Sequence, residues 1–209
     1  MRSKLLVFSF AILTVLAFSV SSVRSQTTVT FDGLQETGTG AFIPNGYQGL
    51  VWSNFVAMNA FLYAGQSPFY TNGYYYGIVS ASNVAFNANG GIGEIDSSTN
   101  FNFLSAYLTG AWNSNLSIEV QGFRGASLVY DDTIVAGATN PTLFAFNYMD
   151  VSRLDFISSG GEPAFFAVSG GNQFVMDDFT FELIPEPSSL LLAALGGVSL
   201  FAFLKRKGA

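Results

Sequence analysis

The sequence predicts an all-β chain: a jelly-roll β-sandwich ectodomain with an N-terminal signal helix before it and a C-terminal single transmembrane helix after it. Three observations carry this. The two ends of the 209-residue chain are apolar, over residues 5–20 and 188–204, with basic residues beside them. Between them, short apolar runs alternate with clusters of Gly, Asn, Ser and Pro, and no stretch keeps a 3.6-residue period for three turns. The chain has no cysteine, so no disulfide framework can replace a hydrophobic core.

Residues 1–25 read as a signal peptide. Arg2 and Lys4 form a positive start, Leu5 to Val20 an apolar stretch of 16 residues, and Val23-Arg-Ser25 a small-residue site before Gln26. Residues 26–183 follow as one domain, long enough for a single sandwich core.

Within it the clearest strand is Leu116-Ser-Ile-Glu-Val-Gln121, where Leu116, Ile118 and Val120 share one face and the polar residues the other. Further strands are expected at 27–31, 50–54, 75–80, 83–86, 101–108, 127–130, 142–146, 153–157, 165–168 and 174–183. So many short strands suit two packed sheets better than one open sheet with bare edges. Asn72-Gly73, Asn89-Gly-Gly91 and Ser169-Gly-Gly171 supply turn residues that tolerate positive φ.

Residues 184–209 form the last unit. Ser188 to Leu204 is 17 residues without a charge, about 26 Å as a helix and enough to cross a hydrocarbon core. Lys205-Arg-Lys207 follows at once and places that end on the cytoplasmic side, so the domain lies outside an inner membrane. Pro185-Glu186-Pro187 stands directly before the helix.

This order of tripeptide, short Leu/Ala/Gly helix and basic end resembles the PEP-CTERM sorting domain. The resemblance covers about 25 residues; the tail departs from the pattern in being Lys-rich and in carrying an extra Gly208-Ala209. It implies that Pro185, Glu186 and Pro187 are read by an exosortase-like membrane enzyme. It also implies export to the cell surface or extracellular matrix, often in company with extracellular polysaccharide. More loosely, Asn115 to Phe181 is similar to the second half of jelly-roll ectodomains found ahead of such signals, through Leu116 to Phe123, Gly125 with Val129, Pro141 to Phe146, Val151 to Phe156 and Phe174 to Phe179. Those domains look like carbohydrate-binding modules in architecture.

Charge and composition remove several functions. Of the eight basic residues only Arg124 and Arg153 lie in the ectodomain, against thirteen acids, giving a net charge of −11 that repels nucleic acid. With neither cysteine nor histidine, the usual zinc sites and Cys/His or Ser/His/Asp machinery are excluded. The adjacent acids Asp131-Asp132 and Asp177-Asp178 do not by themselves make the spaced carboxylate pair of a glycoside hydrolase, and the chain is not expected to be an enzyme. Gly90-Gly91-Ile-Gly93 lacks the Lys and hydroxyl residue of a phosphate loop.

Two candidate sites remain. By parity Asp177 shares a strand face with Val175, Phe179, Phe181 and Leu183, where a carboxylate needs a partner. In lectin-like jelly rolls the first and last strands often pair and share calcium, so Asp32, Glu36, Asp177 and Asp178 are candidate ligands for a structural calcium ion. The competing reading leaves Asp177 solvated or bonded to backbone amides at the sheet's end.

The second is Phe69-Tyr-Thr-Asn-Gly-Tyr-Tyr-Tyr76, expected as a loop whose Tyr70, Tyr74, Tyr75 and Tyr76 stack on sugar rings of an exopolysaccharide, joined by Trp52 and Trp112. The competing reading puts alternate tyrosines and both tryptophans in the sandwich interior. The function expected is that of a carbohydrate-binding-like module on an exported surface protein, with a purely structural surface protein without a specific ligand as the alternative and a carboxylate-based glycoside hydrolase ranked behind it.

Overall fold

A computed structural model describes residues 25–34, 37–66 and 71–184. The signal segment, Glu36, Tyr70, Pro185-Glu186-Pro187 and the 188–204 span lie outside the described residues. Among the described residues no helix is long and apolar enough to cross a membrane.

The chain is mostly β structure, with strands β1 (Gln26–Val29), β2 (Ala41–Phe42), β3 (Val51–Ser53) and β4 (Phe55–Asn59). Two short helices, α1 (Ala60–Gln66) and α2 (Gly73–Tyr76), precede β5 (Asn83–Asn87) and β6 (Gly93–Gly110). Then come β7 (Asn113–Ser114), β8 (Leu116–Arg124), β9 (Ser127–Ala136), β10 (Thr142–Ser159), β11 (Glu162–Pro163) and β12 (Phe174–Leu183).

Hydrogen bonding runs in the order β2-β4-β5-β12-β6-β10-β8-β9, with β1 beside β12 and β3 beside β6. The two 18-residue strands β6 and β10 give this path its sandwich form, because each serves both layers. Their paired segment Phe101–Leu108 with Thr142–Val151 adjoins β12, whereas Gly93–Asp96 with Arg153–Phe156 carries β3 on one side and β8 on the other.

Between these halves β10 loses register three times, and Asn147 and Asp150 take left-handed φ of 53° and 60°. Bulges of this kind let a strand turn the corner between layers. Buried Asn102 fixes the second one: its Oδ1 accepts the Asp150 amide at 3.0 Å and its Nδ2 donates to Glu182.

The layers meet over aromatic rings. Trp52 of β3 stands edge-on to Phe31, Phe55 and Phe179 at 5.5, 5.6 and 5.5 Å, and its indole N–H donates to the Tyr47 carbonyl, so the ring is sealed inside with its polar atom satisfied. Each such ring pair adds about 0.5–1.5 kcal/mol beyond its buried area.

Several expectations need correction. The strands expected at 142–146 and 153–157 are one, β10, because the bulge residues between them read as a turn. Residues 75–80 are not a strand: Asn72 Oδ1 accepts the Tyr75 amide at 3.1 Å and caps α2, so Asn72-Gly73 starts a helix and is not a positive-φ turn. Residues 165–168 form a turn with Phe165 fully displayed to solvent. β4 was not expected, since its burial on both faces leaves no alternation to read.

Asp177 does not share a face with Phe179 and Phe181. Asp178, at φ 50°, sits in a bulge between the pairs Asp177/Tyr107 and Thr180/Ser105, and the side-chain alternation flips across it. Phe174 and Met176 face the main core before the bulge, Phe179 and Phe181 after it, while Val175 packs in a second cluster with Met58, Tyr74 and Val84.

Candidate functional site

Helix α2 presses against the end of β6. Gly73 donates its amide to the Ala111 carbonyl, and a Cβ at Gly73 would lie 2.0 Å from the Gly110 oxygen, so only glycine allows the approach. This drives Tyr74 inward to 4% exposure, edge-on to Tyr63, Phe86 and Trp112 at 5.4, 5.1 and 5.6 Å. Burial, and then the neighbouring Tyr63 hydroxyl, raise the Tyr74 pKa, so its hydroxyl stays neutral. Tyr74 is a buttress with no free ring face.

What it supports is Trp112. The Trp112 carbonyl accepts the Ala164 amide at 2.8 Å, the Gln173 carbonyl accepts that of Ala111 at 2.9 Å, and Asn113 Oδ1 accepts that of Gly171 at 3.0 Å. These bonds draw the 164–173 connection over the indole. Between them opens a cavity of about 570 Å³, walled by Trp112, Phe166 and Tyr63 and edged by the amides of Asn89, Asn172 and Gln173. Its size is that of a small-ligand site.

Polarity in this cavity is neutral. None of its lining side chains is charged, and the three amides have no hydrogen-bond partner among the described residues. Asn83, Asn87 and Asn113, by contrast, spend their amides on the chain itself. The cavity therefore offers flat apolar faces beside free donors and acceptors.

The tyrosines expected to act together are divided. Tyr74 is buried; Tyr75 and Tyr76 stand at the surface on α2, lining a separate depression, and Tyr70 lies outside the described residues. Trp52 belongs to the core and Trp112 to the cavity. Asn89, Phe166, Asn172 and Gln173 were not singled out from the sequence. The readable sign was amides, Asn172-Gln173, running on from Ser169-Gly-Gly171 between aromatic pairs and strand.

The acidic candidates converge in part. Asp177 is fully buried and accepts four hydrogen bonds, from the amides of Val79, Ser80 and Asp178 and from the Ser80 hydroxyl, at 2.8–2.9 Å. Asp32 Oδ1 accepts the Ser82 and Asn83 amides at 3.1 and 3.0 Å. Two carboxylates thus clamp one loop, residues 79–83, on either side of Ala81 with its φ of 23°.

Desolvation outweighs the donors and lifts the Asp177 pKa to about 6. Asp178 has a buried Oδ1 without a hydrogen-bond partner among the described residues. Among these residues no three acidic side chains are grouped to hold a metal ion. A second acidic group lies on the outer sheet face, where burial and then Glu94 raise Asp96 to about 6 beside Arg153.

None of the curated proteins compared matches the chain. Among solved structures it is similar to a DUF4465 family protein from Bacteroides caccae, at 9% identity and TM-score 0.47, covering 79% of this chain and 96% of that one. A DUF4465 family protein from Bacteroides ovatus shows 9% identity and TM-score 0.42, over 76% and 88% of the two chains. The family 32 CBM of C. perfringens NanJ, solved with galactose, shows 12% identity and TM-score 0.36, over 77% and 100%. β12 ends at Leu183, and residues 183–207 match the PEP-CTERM protein-sorting motif, so the chain carries that sorting signal directly behind its last strand.

Proposed function

We propose that this exported protein presents a carbohydrate-binding-like jelly-roll module, and that the cavity beside Trp112 takes neutral exopolysaccharide. The observation that carries the reading is the cavity's composition: three aromatic side chains with free amides and no charged group. A sugar ring has the matching chemistry, with apolar C–H faces for the rings and hydroxyls that pair with amide N–H and C=O groups. An ectodomain charge of −11 disfavours acidic polymers at the same surface.

Sorting fits this role. The motif at 183–207 supports recognition at Pro185-Glu186-Pro187 by an exosortase-like membrane enzyme, with the 188–204 span holding the module outside the inner membrane until release to the surface or matrix.

The test is affinity electrophoresis of the full chain in mild detergent, through gels carrying galactan, xylan, β-glucan or the acidic polygalacturonate. Retardation is expected on a neutral polymer, lost in Trp112→Ala and weakened in Asn172→Ala, whose side chain is exposed and leaves folding intact. Retardation on none of them, or retardation indifferent to both substitutions, would leave the structural surface protein as the function.

A further inference from the structure

The Trp112 cavity has a neighbour. On the far side of Tyr76 and Phe166 lies a depression of about 460 Å³, lined by Phe61, Tyr75 and Ile78 on one side and by Thr139, Asn140 and Pro141 on the other. Tyr76 faces this depression and Phe166 the Trp112 cavity, and their rings touch at 5.9 Å, so the two hollows share one wall.

The wall is part of a longer series. Phe61 meets Tyr75 at 6.3 Å, Tyr75 meets Tyr76 at 6.0 Å, and beyond Tyr76 and Phe166 comes Phe165 at 5.2 Å. The rings at its two ends are not core: Phe61 is 63% and Phe165 81% exposed. Tyr75 is exposed as well, whereas Tyr76 is half-buried and Phe166 buried, so exposed rings stand at both ends of a packed wall, and exposed apolar surface of this kind marks a contact surface.

We infer that the two hollows are subsites of one groove that reads several consecutive units of a linear neutral glycan, passing over the Tyr76–Phe166 wall; this rests on the carbohydrate reading of the Trp112 cavity. Three features choose that occupant. Both hollows combine aromatic faces with neutral hydrogen-bonding groups, amides on one side and Thr139 with Asn140 on the other. Neither is lined by a charged side chain, which fits a polymer without uronate or sulfate groups. Their alignment along one row of rings suits an extended ligand, since a single sugar in either hollow would leave the remaining rings in water. Two joined contacts then raise affinity beyond either alone.

Calorimetric titration of the full chain in detergent with β-1,4-linked galacto-, xylo- and gluco-oligosaccharides of one to six units tests this. Affinity for the recognised series should rise at least tenfold from the shortest bound member to the hexamer. Tyr75→Ala and Phe61→Ala, which remove exposed rings and leave the core untouched, should each lower hexamer affinity roughly tenfold and leave the shortest ligand's affinity unchanged. Binding that depends on Trp112 but reaches full strength with one or two sugars, indifferent to Tyr75 and Phe61, overturns the groove and keeps the cavity. No binding of any member at any length overturns both.

Discussion

The loop at 79–83 and the rim at 164–173 are both connections laid over the edge of the sandwich, and both bring polar groups close to aromatic packing. They differ in where the polar groups are spent. At 79–83 Asp177 and Asp32 take up the amides of Val79, Ser80, Ser82 and Asn83, so the carboxylates are consumed by the chain. At 164–173 the backbone is tied down by Trp112, Asn113 and Ala111, while Asn172 and Gln173 keep their side chains at the cavity. A polar group with every bond made internally is structure; one left open beside rings is available to a ligand.

The largest effect that would break this contrast is on Asp177. Asp177→Ala leaves the Val79 and Ser80 amides and the Ser80 hydroxyl without their acceptor in a partly buried place, and should cost about 3 kcal/mol of stability by urea unfolding. A loss under about 1 kcal/mol would mean the loop holds itself. The same network separates capping from calcium binding: with its oxygens taken by four donors, Asp177 should give a melting temperature that a chelator leaves unchanged, whereas a clear drop would support the calcium role expected for Asp32, Glu36, Asp177 and Asp178.

The next effect is that of pH. A carboxyl whose folded pKa is about 6 against an ordinary 3.8 holds its proton more tightly in the folded state. Its contribution is therefore full below about pH 4 and is lost as pH rises through 6. Two pKa units correspond to roughly 3 kcal/mol at most, so melting at pH 4.5 should lie several degrees above melting at pH 7. Asp96 shifts in the same direction for the same first cause, burial, but sits on a half-open sheet face and contributes less. Asp177→Asn should remove most of the slope; an unchanged slope would assign it to Asp96.

How far the sequence foretold these regions depends on distance along the chain. β8 was legible because one buried face imposes strict alternation, and Leu116, Ile118 and Val120 are all fully buried. The pairing of first and last strands was expected only by likeness to lectin-like jelly rolls, and β1 does lie against β12 from Gln26 opposite Glu182 to Val29 opposite Phe179. Parity failed at Asp177 because a bulge at Asp178 carries no reliable local mark: an aspartate at positive φ looks like any other aspartate. The cavity was hidden for a different reason. Tyr63, Asn89, Trp112 and the 166–173 segment come from four separate connections, and only the folded sheet brings them together.

The smallest change acts on the rim alone. Gly171 has ordinary negative φ, so its lack of a side chain is a matter of space: a Cβ there would lie 2.6 Å from Gln173 Oε1 and 2.8 Å from the Trp112 ring. Gln173 can swing its amide away at little cost, but Trp112 is held by Tyr74 behind it and cannot retreat. With the ring fixed, the rim backbone must give way, so Gly171→Ala should cost about 1–3 kcal/mol of stability while displacing one amide and narrowing the approach to the indole. Retention on the recognised neutral polymer should fall several-fold, with the pH slope set by Asp177 unaltered. Were retention to hold while stability dropped by several kcal/mol, the rim would be doing what the 79–83 loop does, and the distinction between a region that serves the fold and one that serves a ligand would fail at its most direct point.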